Sequence, residues 1–383
     1  MGVTQCRAGR ISAYDISSVV TYNWELRRGI NCTINLPAEH VISTRLNMIR
    51  RRIIVDWQYT GTGNRYTPVP DFATFEAWID TLPEWCNVLI DPHTAPGFHL
   101  TTTTWADDVF WFGIDWHDNL IELYRLLGQR YGNNPTYAKR IAGYSLLNEP
   151  NCPSKKGKVT LYPEYITSAG DIPTVSFWND MITAWNSLGW DGPSSPPTWN
   201  VGDRDPRSYK GLGLRCIAAI RENDRVHPIV YMYEAAGGKQ STGTNISMGP
   251  FKHRNHSPTI WYSISDINLV LAWHMYERPP YMLRGDEPPP ANKGIIEGYL
   301  NDIKNFKDNN PAQKIAITEY GPTGPFFEGA DQVLRWLMEI WEEWQVTALH
   351  HTLTFTGTPS DAALSESFLG VLKEFWLNNS TES

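Results

Sequence analysis

Short apolar runs that stop on a polar side chain recur along this chain, with amphipathic segments between them, and that alternation limits the fold more than any other feature. The clearest run is Ile141-Ala-Gly-Tyr-Ser-Leu-Leu147, which ends on Asn148-Glu149-Pro150. A continuous apolar run of this length reads as a strand of a parallel sheet buried on both faces, and a proline cannot extend its ladder. Asn148 and Glu149 therefore fall at a strand's carboxyl end. Comparable runs are read at 28–34, 52–57, 87–90, 228–233, 268–276, 314–320 and 347–356. Polar groups close several of them: Asp91-Pro-His93 after the third, Glu234 after the fifth and Glu319 in the seventh.

The intervals have helical spacing. Pro37 suits the first turn of a helix over 37–48 that carries Val41, Ile42 and Leu46. Phe72, Phe75, Trp78, Ile79 and Leu82 predict a second helix over 71–84, capped by Asp71. Leu120, Ile121, Leu123, Tyr124, Leu126 and Leu127 predict a third, closed by Gly132-Asn-Asn-Pro135. Further helices are read at 207–222, 295–306, 333–344 and 368–377. Eight strands, most followed by a helix, select an α/β chain of the (β/α)8 TIM barrel class over an open doubly wound sheet. The expected layout is an N-terminal extension over 1–26 that packs on the barrel and closes its bottom, then the barrel over 27–383. A long insertion after strand 4, about 151–206, is expected on the face where the strands end; Gly, Pro and Ser punctuate Trp178, Trp185, Trp190 and Trp199 there.

Composition removes several function classes. A net charge of −8 with dispersed Lys and Arg argues against nucleic acid as partner. No glycine-rich phosphate fingerprint follows a strand, since Gly61-Thr-Gly63 opens a loop rather than a helix. Five cysteines, an odd number without any C-x-x-C, fit neither a zinc site nor a dense disulfide framework, and neither metal nor cofactor is expected. No apolar stretch approaches membrane-spanning length or the pattern of a signal peptide; the chain as written is expected to be soluble, unexported and monomeric. Asn31, Asn245, Asn255, Asn378 and Asn379 are read only as glycosylation sequons. An aromatic content of 13% suits a sugar ligand, whose C–H faces stack on flat rings while its hydroxyls bond at their edges. Trp57 and Trp105 are candidate platforms, with burial in the core the equal alternative.

Glu149 and Glu319 end the fourth and seventh strands, and in a closed barrel those ends can face one another across the mouth. Cleaving a glycosidic bond needs one carboxyl group to protonate the departing oxygen and another to attack or stabilise the sugar cation. The first must hold a proton near neutrality while the second stays ionised. Asp91 and Glu234 are read as structural.

Four motifs in order, Asp91-Pro-His-Thr-Ala-Pro-Gly97, Asn148-Glu149-Pro150, His274-Met-Tyr276 and Thr318-Glu319-Tyr320-Gly321, resemble glycoside hydrolase family 5, the cellulase and mannanase family among barrel glycosidases. The resemblance covers residues 28–357. It implies Glu149 as acid/base, Glu319 as nucleophile, and retention of configuration through a covalent glycosyl-enzyme. Asn148 then binds the sugar 2-hydroxyl, Tyr276 orients the nucleophile, and His93 and His274 are site histidines, with ordinary buried histidines and a core tyrosine as the alternatives. Arg52 resembles the second-strand arginine that supports the nucleophile; Arg50 and Arg51 compete for that register. The family's eighth-strand tryptophan is missing from His350-His-Thr-Leu-Thr-Phe355, and Phe355 is the candidate replacement. The implied activity is endo-acting hydrolysis of a β-linked glucan or mannan, with transglycosylation, exo action or non-catalytic sugar binding as alternatives.

Overall fold

The computed structural model describes residues 24, 26–32, 35–62, 65–96, 114–148, 209–232, 266, 268–276, 291–321, 329–351 and 370–375; for 114–116, 209–211, 214, 232, 275–276, 299, 302 and 330 it describes the backbone alone. Among these residues the chain runs β1 (Arg28–Cys32), α1 (Ala38–Thr44), β2 (Met48–Arg52), β3 (Val55–Tyr59), β4 (Tyr66–Pro70), α2 (Phe72–Ile79), β5 (Asn87–Asp91), α3 (Ile114–Tyr131), β6 (Ile141–Leu146), α4 (Tyr209–Arg221), β7 (Ile229–Met232), β8 (Leu269–Tyr276), α5 (Lys293–Asn309), β9 (Lys314–Gly321), α6 (Ala330–Glu343) and β10 (Thr347–His351). A helical stretch at 370–375 follows β10.

The strands β1-β10-β9-β8-β7-β6-β5-β2 close into one barrel, and every neighbouring pair is parallel. Closure leaves no open edge, which satisfies the backbone of strands too apolar to face water. The α6 stripe shows how helices cover the outside. Val333, Leu334, Leu337, Ile340 and Trp341 recur at helical spacing and are all at most 2% exposed. Burying each stabilises the fold by about 1.5–3 kcal/mol as an upper estimate. Asp71 caps α2 as expected, accepting the Thr74 backbone N–H at 3.0 Å. Cys32, Cys86 and Cys216 are buried.

Two differences from the sequence reading concern the second strand. The barrel strand is Met48–Arg52, four residues earlier than expected, because its three arginines hide an alternation. Met48 points into the barrel with Leu89 and Leu349, whereas Ile49 joins the layer between sheet and helices. Residues 55–59 instead pair antiparallel with β4, Trp57 opposite Pro68, in a separate hairpin. This hairpin is tied to the start of α3 by the Tyr66 N–H, which donates to Asn119 at 2.9 Å.

The lower interior is filled by small and medium side chains: Met48, Leu89, Ala142, Val230, Val270, Ala272, Ala316 and Leu349. Trp24, from the segment before β1, packs against this cluster. Beside it, at the amino ends of β7 and β8, sits a buried ionic network. Arg221 bonds Asp266 through two nitrogens, at 2.7 and 3.0 Å, and donates to the carbonyls of Asp224 and His227 at 2.9 Å. Asp224 Oδ2 in turn accepts from Tyr144 at 2.5 Å and faces His227 Nδ1 at 2.6 Å. The 151–206 insertion lies outside the described residues.

Candidate active site

At the opposite end of the barrel the inward side chains change from apolar to polar. Asn31, Arg50, Asp91, Asn148, His274 and Glu319 are each at most 4% exposed. Each sits between the middle of a barrel strand and the turn just beyond its carboxyl end, so six separate segments converge on one layer.

Arg50 is the centre of that layer. Its Nη1 donates to Glu319 Oε1 at 2.8 Å, and its Nη2 lies 2.6 Å from Asn148 Oδ1 and 3.0 Å from Asp91 Oδ2. One guanidinium thus joins two carboxylates and an amide that enter from β5, β9 and the turn after β6. A buried charge is tolerable only with such pairing. The arginine on Glu319 is thus Arg50, one of the two competitors of Arg52 in the sequence reading. Arg52 lies on the same face of β2, two residues or about 6.6 Å further along the strand. Its Nη2 donates to Thr94 at 3.1 Å, away from Glu319. Arg51 points the other way, onto Asn35 and the Trp78 ring.

Asp91 also fixes His93. Its Oδ1 accepts the His93 backbone N–H at 3.1 Å, and its Oδ2 lies 2.8 Å from His93 Nδ1. These bonds hold His93 at φ 58°, a left-handed conformation uncommon for a residue other than glycine. Burial alone would raise the Asp91 carboxyl, but the Arg50 charge and the His93 hydrogen bonds outweigh it and hold it well below the usual carboxylate range.

The end of β6 is shaped by a tyrosine on α3. Tyr124 donates its hydroxyl proton to the Ser145 carbonyl at 2.8 Å and accepts the Leu147 N–H at 3.0 Å. Those bonds replace the ladder where β6 stops, and Leu147 turns to φ 31°. Asn148 is thereby delivered to Arg50.

Around Glu319, Asn31 Nδ2 reaches Oε1 at 2.9 Å, while His274 Nδ1 and His351 Nδ1 approach Oε2 at 3.2 and 3.6 Å. A register shift between Trp273 and His274, against Ile317 and Glu319, turns Glu319 inward while Thr318 and Tyr320 take other faces. Asn31 and His351 have no site role in the sequence reading. Their signal was the strand period: Leu349 points inward, so His351 does too, and Ile30 packs toward the helices, so Asn31 faces in. His350, between them in register, is buried on the other face, and burial with the neighbouring His351 pushes it down to about 3.

The structure therefore brings Asn148 and Glu319 together on Arg50, with His274 on Glu319 and His93 on the shared Asp91. Trp57 is half-buried and packs on the layer between sheet and helices. Tyr276 ends β8, where only its backbone is described. Glu149, Trp105, Glu234 and Phe355 lie outside the described residues. Among the described residues no helix is long and apolar enough to cross a membrane.

No protein-family model matches this chain, and no curated protein does. Solved structures match in fold. Endoglucanase Cel5A from the hyperthermophilic Thermotoga maritima shares 14% identity at a TM-score of 0.51, over 90% of this chain and 96% of that one. A glycoside hydrolase shares 15% at 0.50, over 90% and 99%. The Clostridial cellulose synthase subunit Z from Clostridioides difficile shares 15% at 0.50, over 91% and 99%. At such identities the likeness is one of fold, and this chain is a closed (β/α)8 barrel of the kind found in solved glycoside hydrolases.

Proposed function

We propose that the chain is a retaining, endo-acting β-glycosidase of the family 5 type, acting on a β-1,4-linked glucan or mannan. The observation that carries this reading is the double engagement of Arg50, which holds Glu319 and Asn148 at one point of the barrel mouth. Glu149 follows Asn148 directly in the chain, so its Cα is about 3.8 Å from that of a residue already bonded to the site. Glu319 is surrounded by donors that complement a carboxylate, which suits a nucleophile. In the first step Glu319 bonds the anomeric carbon as Glu149 gives its proton to the departing oxygen. In the second, water gives a proton to Glu149, attacks the same carbon and releases Glu319. Asn148, His93 and His274 serve as substrate-binding groups, with Tyr276, Trp57, Trp105 and Phe355 proposed to complete the sugar sites. Arg50 takes the supporting role that the resemblance gave to Arg52. The glucan preference draws on the endoglucanase among the fold relatives.

The decisive test is covalent. A 2-deoxy-2-fluoro-glycoside with a good leaving group should label Glu319, as read by peptide mass spectrometry, and a label on another carboxylate would move the nucleophile. Glu149→Gln should lower turnover of cello- or manno-oligosaccharides by at least about a hundredfold while binding persists, the scale of a lost general acid. Hydrolysis within a few fold of wild type would defeat the acid assignment. Reducing-end release from glucans, mannans and xylan then separates the backbone sugars, and product lengths separate endo from exo action.

A further inference from the structure

We propose that His351 is a positioning residue for Glu319, acting through the amide of Asn31 and as a neutral imidazole protonated on Nε2. The role rests on the reading of Glu319 as nucleophile. Asn31 Nδ2 lies 2.9 Å from Glu319 Oε1 and 2.9 Å from His351 Nδ1. Glu319 as a carboxylate only accepts, so it fixes which end of the Asn31 amide faces it. The amide nitrogen has two hydrogens and no lone pair to offer. One hydrogen goes to Glu319, and the other goes to His351 Nδ1, which must then accept. The ring proton of His351 accordingly sits on Nε2.

The arrangement has a second state. A proton on His351 Nδ1 removes the acceptor for Asn31 and places a cation 3.6 Å from Glu319 Oε2. The Asn31 bridge is lost, and the new charge draws electron density from Oε2, the carboxylate oxygen opposite the one that Arg50 and Asn31 bond. Attack on an anomeric carbon slows. Among the described residues, the charged and titratable groups around His351 and the Glu319 carboxylate are Glu319 on β9, which favours the cation, and Arg50 on β2, His274 on β8 and His350 on β10, each of which opposes it when charged. Burial keeps His350 neutral, so it adds no opposing charge. His351 is therefore expected to add an ionisation to the acid limb of nucleophile capture, separate from that of the general acid, because labelling by a fluoro-glycoside with a good leaving group needs no proton from Glu149.

The test uses full-length protein and two substitutions. Asparagine places an oxygen near the position of Nδ1 and does not titrate, whereas leucine removes the acceptor. At neutral pH, His351→Asn should label within about threefold of wild type, and His351→Leu about tenfold more slowly, the scale of one lost hydrogen bond. Between pH 5 and 8 the labelling rate of wild type should show the extra ionisation and that of His351→Asn should not. Long-range nitrogen-proton NMR of histidine-labelled protein, assigned with His351→Asn, should show Nδ1 unprotonated and Nε2 protonated at neutral pH. Equal rates and equal pH profiles in wild type and His351→Leu, or a protonated Nδ1 at neutral pH, would overturn the proposal. Wild-type protein that takes no label defeats the nucleophile reading and the positioning role together. Labelled wild type with an unaltered leucine variant defeats the positioning role alone.

Discussion

Arg50 spreads one charge over Glu319, Asp91 and Asn148, and a lysine at its position could not. An ammonium keeps the charge but lacks the planar fork that reaches separate acceptors from one stem. Arg50→Lys is expected to lower kcat/KM by about ten- to a hundredfold, corresponding to one charged hydrogen bond at about 1.5–3 kcal/mol. Arg52→Lys should change it by about twofold or less, as expected for a contact nearer the solvent. Kinetics on any cleaved oligosaccharide compare the two, and the opposite ranking would contradict the register. Glu319, Asn148, His93 and His274 could be picked out in the sequence because each falls near the carboxyl end of an apolar run. Arg50 was less so, since three consecutive arginines give no hydropathy signal and only the alternation of Met48 and Ile49 decides which points inward. His351 was obscured by its neighbour, as the pair His350-His351 straddles the two faces of one strand.

At the scale of the element, the Tyr124 hydroxyl of α3 bonds both sides of the turn that ends β6. Tyr124→Phe leaves the Leu147 N–H without its acceptor and the Ser145 carbonyl without this donor, in a place water does not reach. An unsatisfied buried group costs about 1–3 kcal/mol. Urea denaturation should show a loss of that size, and turnover should fall further than binding because the turn carrying Asn148 loosens. A stability within 0.5 kcal/mol of wild type, roughly the range of neutral surface changes, would show that the turn holds without the tyrosine. Seven of the barrel strands were legible near their observed positions, since parallel strands buried on both faces write long apolar runs. The hairpin was not. Pro68 and Pro70 argue against a strand, but a two-stranded ribbon leaves each strand with one neighbour, and missing N–H groups can face outward.

The whole molecule keeps its chemistry and its ionic foundation at opposite ends of the barrel. At the foot, His227 Nε2 faces the Ala138 carbonyl at 2.6 Å while Nδ1 faces Asp224, so the doubly protonated ring matches both partners. Burial works against that cation, but the Asp224 hydrogen bond and charge prevail and raise the His227 pKa. Asp224 is itself held down at about 2, its own burial outweighed by His227 and Tyr144. The raised histidine stabilises fully below its unfolded pKa of about 6.5 and loses that contribution as pH rises through the folded value. The depressed aspartate stabilises above about 3.9 and loses its contribution as pH falls toward 2. The free-energy difference between wild type and His227→Gln in urea should therefore be largest near pH 5 and shrink toward pH 9. A difference independent of pH would show that the pair does not ionise as described.

The ring closes between its first and last strands, where Arg28 meets Ala348 and Asn31 meets His351. During vectorial synthesis Arg50 and Asp91 leave the ribosome long before Glu319 exists to complete their charge balance. Until residues 347–351 emerge, β1 and β9 remain unpaired edges of a parallel sheet, the state most exposed to aggregation. The nascent chain thus gains its last barrel seam and its Asn31–Glu319–His351 contacts in one late event. Competence for catalysis and release from chaperone protection should arrive together, and a ribosome stalled shortly before residue 347 would carry a chain that has neither.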